Sequence, residues 1–222
     1  MIQKILFLDI ETVPVKYRYS ELSDREKKLW DAKWKYNPDI NPEEQYSKAG
    51  IYAEFAKVIC IGLGYVDNQD NIKLKVLADD DEKVLLSEFN NSLYKFYQYV
   101  FKTYNAEYNL CAHNGREFDF PFLCRRMLIN DIAIPEILKS GRRDMLLDTM
   151  DMWKFGDYKN FTSLDLLAYV FNIESPKEGI DGSMVAKVYY EDKDIDKIAT
   201  YCQKDVETLI KVYKRLLGMK VD

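Results

Sequence analysis

Asp9 and Glu11 stand two apart in Leu8-Asp9-Ile10-Glu11-Thr12, where an apolar run ends. Side chains alternate along a strand, so residues i and i+2 point to one face. Two carboxylates then aim at one spot while Ile10 turns back into the core. Hard cations such as Mg²⁺ want oxygen ligands, a few of them from protein, and this pair suits one. Taken singly, it equally suits an ordinary polar strand end. Asp119 opens a predicted helix in Asn114-Gly115-Arg116-Glu117-Phe118-Asp119-Phe120-Pro121. An N-cap aspartate fits there, and so does a metal ligand, because a cap position fixes where a carboxylate points. Tyr201 and Asp205, four apart on a predicted helix, share a face one turn apart. A phenol so placed can position a water while the carboxylate binds metal; an i,i+4 pair on a partly exposed helix is the plainer reading.

The elements that must carry these residues follow from periodicity. Ile2–Asp9 reads as a short, mostly buried strand with the acids at its C-terminal end. Lys57–Val66 and Asn71–Ala78 are two strands joined by a tight polar link into a hairpin. Glu82–Lys102 places Leu85, Phe89, Leu93, Phe96 and Val100 on one helical face. Tyr108–His113 and Met145–Met150 are further strands, and Phe120–Ile129, Thr162–Phe171 and Asp194–Leu217 are helices. This order predicts an α/β fold, a mixed five-stranded sheet with helices on both faces. The stretch 14–55 interrupts the pattern, with a helix opened by the capping box Ser23-x-x-Glu26 and continuing through Trp30 and Trp34. It has too few aliphatic residues for a core of its own, so we expect residues 1–222 to form one domain with an insertion there.

Composition narrows the partners. The 222 residues are 47% hydrophobic and 31% charged, which argues for a folded protein rather than a disordered one. A net charge of −5 argues against tight gripping of duplex by its phosphates, but not against an enzyme that handles a few nucleotides at a strand end. Cys60, Cys111, Cys124 and Cys202 show no zinc spacing and read as buried free thiols of a reducing compartment. No run approaches the about 18 apolar residues that span a bilayer, so cytoplasm and no membrane are expected.

Taken together and in this order, Phe7-Leu8-Asp9-Ile10-Glu11-Thr12, Asn114-x-x-x-Phe118-Asp119 and Tyr201-x-x-x-Asp205 resemble the three motifs of the DEDD exonuclease superfamily in its tyrosine branch. The middle motif is most similar to the proofreading exonuclease domain of family-B DNA polymerases. Thr200 stands where the histidine branch needs its His, so Tyr201 takes that role, and His113 reads as structural. The resemblance implies a ribonuclease H-like fold and a stand-alone, metal-dependent 3′–5′ exonuclease acting on DNA, with single strands the expected substrate. It implies two divalent ions, Mg²⁺ or Mn²⁺, held by Asp9, Glu11, Asp119 and Asp205, with Tyr201 hydrogen-bonding the attacking water. Thr12, Val13, Asn114 and Phe118 fall on positions that contact the terminal nucleotide. Replication or repair proteins are the implied partners. An RNA 3′-end trimming enzyme of the ribonuclease D kind, or a domain that binds nucleic acid without hydrolysis, are the other readings.

Three weaker features remain. Trp30, Trp34 and Tyr46 could stack on bases, though helical spacing makes Trp30 and Trp34 better core contacts. Arg142, Arg143, Lys139 and Lys154 could meet phosphate, but interleaved Asp144, Asp148 and Asp151 make a solvated face the better reading. The loop Ser175–Gly182 could act as a flap.

Overall fold

The computed structural model describes residues 2–37, 39–139, 143–157, 161–174 and 180–221. Five strands, β1 Ile5–Pro14, β2 Ala56–Val66, β3 Ile72–Ala78, β4 Asn109–Ala112 and β5 Leu146–Asp148, form one sheet in the order β3-β2-β1-β4-β5. The β1–β2 and β2–β3 pairs are antiparallel, and the β1–β4 and β4–β5 pairs are parallel. The helices are α1 Asp24–Asp31, α2 Pro42–Gln45, α3 Glu82–Tyr104, α4 Asp119–Ile129, α5 Thr149–Lys154, α6 Leu164–Val170, α7 Val185–Lys187 and α8 Ile195–Leu216. A π-helical turn, Val188–Asp192, continues α7.

Alternation along β1 divides the core in two. Leu6, Leu8 and Ile10 pack with α3 and α4 on one face. Ile5 and Phe7 pack with Val206, Leu209 and Ile210 of α8 on the other, and Val13 meets α7 and α8 there. The hairpin closes as expected, because the Asp67 carboxylate accepts from the backbone N–H groups of Gln69 and Asn71. Among the described residues, no helix is long and apolar enough to cross a membrane.

Several expected boundaries move. Ile2–Lys4 is a 3-10 turn, and β1 runs on to Pro14 rather than ending at Asp9. The reason is β2, which pairs with β1 from Phe7 to Pro14 and carries the ladder past the acids. The Met145–Met150 strand shortens to Leu146–Asp148, because the Asp148 carboxylate caps α5 by accepting from Met150 and Asp151 N–H. The Ser23–Glu26 capping box forms, but α1 stops at Asp31 and leaves Trp34 in the following turns.

The segment between β1 and β2 also builds a small core, contrary to expectation, and builds it from rings. Leu22, Trp30, Tyr46 and Ala49 are buried together. Tyr46, Tyr52 and Phe55 meet Trp30 edge-on at 5.1, 5.5 and 5.1 Å, and the Trp30 indole N–H donates to Pro42 O at 2.7 Å. Edge-to-face pairs add to area burial, so aromatics replace the missing aliphatics. Buried Trp30 and Tyr46 offer no face to a base.

One buried ion pair ties three elements under the α3 face. Glu82, at the start of α3, accepts from Arg126 Nε and Nη2 at 2.8 and 2.5 Å and from Val58 N–H at 2.8 Å. Both side chains are buried. Removing one partner of such a pair leaves an uncompensated charge, so Arg126→Met should lower unfolding stability by about 3–5 kcal/mol. Urea denaturation checks this, and a loss under about 1 kcal/mol would mean that water reaches Glu82.

Candidate active site

Asp9 and Glu11 lie on the α8 face of β1, between Phe7 and Val13 in the alternation. The last β1–β4 pair is Phe7 with Cys111. Beyond it β4 ends, and the crevice outside the carboxyl ends of parallel strands is where α/β sheets place ligands. A register shift between Glu11 and Thr12 marks an irregularity in the β1–β2 ladder just after the acids.

α8 brings Tyr201 and Asp205 to this crevice. It lies close against the sheet because Gly62 and Gly64 of β2 have no side chains. A Cβ on Gly62 would stand 2.7 Å from Val206 Cγ2 and 3.0 Å from Cys202 O. The helical spacing puts Tyr201 and Asp205 on one face of α8, where each affects the other's protonation.

Asp119 arrives from α4. Phe118 is the N-cap and Asp119 the first helical residue, so the expected aspartate cap is one position off. Nearby backbone N–H groups partly offset the cost of burying the Asp119 charge. The Asp119 Oδ1 is nevertheless buried without a hydrogen-bond partner.

Burial and charge act together on these acids. Burial, then Glu11, Asp119 and Asp205, push Asp9 well above the usual carboxylate range. Burial, then Asp205, Cys60 and Asp119, do the same for Glu11. Burial raises Asp119 to about 7 and Asp205 to about 6. Burial and the nearby acids also push the Tyr201 phenol up, so it stays protonated. A divalent cation would remove both strains at once, since it repays desolvation and neutralises the repulsion. The oxygen-rich set and the orphaned Asp119 Oδ1 fit a hard metal.

Cys202 is a member of the cluster that the sequence did not reveal beyond a buried thiol. Its Sγ lies 3.5 Å from Asp9 O and 3.6 Å from Asp9 Oδ2. Donor atoms of Asp9, Glu11 and Cys202 all lie within 4.8 Å of one another.

The expected nucleotide contacts divide. Asn114 and Phe118 are partly exposed beside Asp119, with Asn114 in the left-handed region at φ 60°. Thr12 is partly exposed, but its hydroxyl donates to Gly50 O at 2.7 Å. Val13 is fully buried, so its side chain is not available to a nucleotide.

The loop between β4 and α4 is held by two residues. His113 lies 2.8 Å through Nδ1 from Thr149 Oγ1 and 2.8 Å through Nε2 from Thr162 O. A carbonyl only accepts, so Nε2 carries the proton; burial lowers the ring's pKa and keeps it neutral. His113 is structural, as read. Asp148 is the larger surprise. Rather than lying on a solvated face, it is buried and accepts from Asn114 and Arg116 N–H at 2.9 and 3.0 Å. Its charge was legible, but the turn it braces lies 34 residues away in sequence. Asp151, by contrast, pairs at the surface with Arg116 and Lys154, and Lys139 pairs with Glu136. Arg142, the side chain of Arg143 and residues 175–179 of the expected flap lie outside the described residues.

The sheet order and the crevice at the end of β1 define a ribonuclease H-like α/β protein. The family model of the RNase H superfamily matches residues 48–217, and the chain belongs to that superfamily. The match begins after β1, so Asp9 and Glu11 lie outside it. Two solved structures are similar. The product-bound structure of exonuclease I shares 12% identity at TM-score 0.46, covering 96% of this chain and 45% of that one. Escherichia coli exonuclease I in complex with a dT13 oligonucleotide shares 11% at TM-score 0.41, covering 96% and 42%. The chain thus spans less than half the length of those proteins. No curated relative matches it.

Two predictions follow from this geometry. Acids raised on folding bind extra protons between about 4, their unfolded value, and about 7, so their destabilising repulsion is full above that window and fades as pH falls. In EDTA, Tm should therefore rise as pH drops from about 8 to about 5.5, and Mn²⁺ should raise Tm more at the higher pH. A metal-independent Tm at both pH values would contradict a cation site. Asp148→Ala would strip buried donors of their acceptor at about 1–3 kcal/mol each. A loss of at least about 2 kcal/mol in urea is expected, and an unchanged midpoint would mean the loop is held otherwise.

Proposed function

We propose that this protein is a metal-dependent 3′–5′ exonuclease of the tyrosine-branch DEDD kind, related to the proofreading domains of family-B polymerases and acting on the ends of single-stranded DNA. What supports the reading is that Asp9 and Glu11, with donor atoms within 4.8 Å of each other, both feel the charges of Asp119 from α4 and Asp205 from α8. In this reading the four acids hold two divalent ions, Mg²⁺ or Mn²⁺. When bound, such ions supply charge stabilisation at the phosphate and a water acidic enough to attack at neutral pH.

The chain's own residues do the positioning. Tyr201, kept protonated, donates a hydrogen bond and orients a water or phosphate oxygen; it is no base. In this reading Asn114, on the turn that Asp148 braces, Phe118 and Thr12 contact the terminal nucleotide. Phe7 and Val13, buried on the same face of β1, flank the acids, and apolar surroundings strengthen charge interactions made beside them.

The test is hydrolysis of a 5′-labelled single-stranded DNA and its RNA counterpart with Mg²⁺, Mn²⁺ or EDTA. A ladder shortening from the 3′ end, abolished by EDTA, is expected. Asp9→Asn should lower kcat by at least about 100-fold, the scale of one lost electrostatic partner in such a site. Tyr201→Phe should lower kcat while keeping the metal-induced rise in Tm. RNA shortened faster than DNA would favour the ribonuclease D kind of activity. Binding of either strand without cleavage would favour a non-hydrolysing module.

A further inference from the structure

The segment between β1 and β2 meets α7 at a cleft of about 470 Å³, floored by Pro14, Tyr17 and Tyr46 and flanked by Arg18 and Lys187. Its place relative to the acids is set by β1. Pro14 is the last residue of that strand, three beyond Glu11, or about 10 Å at about 3.3 Å per residue. α7 packs on the strand face that carries the acids, since Val185 and Val188 cluster with Val13. The cleft therefore adjoins the crevice along the catalytic strand.

Its walls are built. Tyr17 stacks on Tyr190 with ring centroids 4.9 Å apart and donates its hydroxyl to Glu191 at 2.8 Å. Tyr46 is buried and donates to Lys16 O at 3.0 Å. These bonds bridge the segment's two halves and the turn after α7, fixing the floor. Arg18 and Lys187 are both exposed and reach the cleft from opposite elements. Neither has an ion-pair partner among the described residues. Of the two acids that line the cleft, Glu191 is engaged by Tyr17, while exposed Glu43 lies on the α2 side. The rings are occupied by one another, so what the cleft offers is two exposed cations set on different elements, which suits the phosphates of a flexible single strand and suits a stiff duplex poorly.

We propose that this cleft holds the single-stranded nucleic acid just upstream of its 3′ end, with phosphates at Arg18 and Lys187. The role rests on the exonuclease reading, and it makes the β1–β2 segment the part of the chain that selects unpaired strands of sufficient length.

The test measures binding in EDTA, where no cleavage occurs, by fluorescence anisotropy of labelled oligothymidylates. One is about twelve nucleotides long, within the range a single-strand groove covers, and the other is a trinucleotide. Wild-type protein is compared with Arg18→Ala, Lys187→Ala and the double variant, exposed positions whose replacement leaves the fold intact. Each single variant should weaken the long oligonucleotide several-fold and leave the trinucleotide unchanged. The slope of log affinity against log salt should fall by about 0.7 for each phosphate contact removed. Unchanged affinity and slope, or equal losses on both lengths, would overturn the proposal. If the slope falls as expected but no condition with metal yields cleavage, the cleft stands and the exonuclease reading fails. Cleavage with silent variants gives the converse.

Discussion

Asp9 and Glu11 occupy the face of β1 on which Phe7 and Val13 are buried, so the burial that stabilises the strand also dries the carboxylates. Two further acids face them from helices that the same core holds in place. Burial pushes each of the four toward its protonated form, and neighbouring acids of the group add to the push on Asp9 and Glu11. This is a costly arrangement in isolation. It persists because the sheet and helices that carry the acids are fixed by contacts elsewhere, and a cation bound among the acids would relieve it.

Those contacts are of two kinds. Behind the sheet, α3 and α4 are locked by Glu82 and Arg126, a buried pair whose hydrogen bonds also reach Ala53 O, Val58 N–H and Asn130. In front, α8 presses on β2 at Gly62 and Gly64, where no side chain intervenes. The turn before Asp119 needs a closer brace, since Asn114 sits at positive φ and a Cβ on Gly115 would fall 2.4 Å from the Ala112 Cβ. Asp148 and His113 supply it from β5, α5 and the residues before α6. Rigidity of this order matters because sites built from charged groups work only when supporting residues hold them to a fraction of an ångström.

The segment after β1 stands apart in its chemistry. Its core is a cluster of rings around Trp30, tied to the sheet by Thr12 to Gly50 and to the α7 turn by Tyr17 and Tyr190. It is joined to β1 without a hinge of its own: β1 runs from the acids to Pro14, and Val15 N–H donates to Phe55 O where the segment returns. The crevice and the cleft beside it are therefore parts of one frame.

Much of this was legible in the residues themselves. The period of two along β1 put Asp9 and Glu11 on one side and Ile10 on the other, and the step of four put Tyr201 with Asp205. The apolar stripe of α3, the Asp67 turn and the Ser23 cap are equally local, because strand alternation, helical periodicity and capping act over a few residues. The tertiary structure decided what those rules do not reach. It carried β1 past the acids through pairing with β2, moved the cap of α4 to Phe118, and turned Asp148 from an expected surface charge into a buried brace. It brought Cys202 against Asp9 across 193 residues and gathered scattered rings into a core. Each of these depends on which chain segments become neighbours after folding, and the free energy of burying a charge or pairing a strand edge depends on those neighbours, not on the residues beside it in sequence.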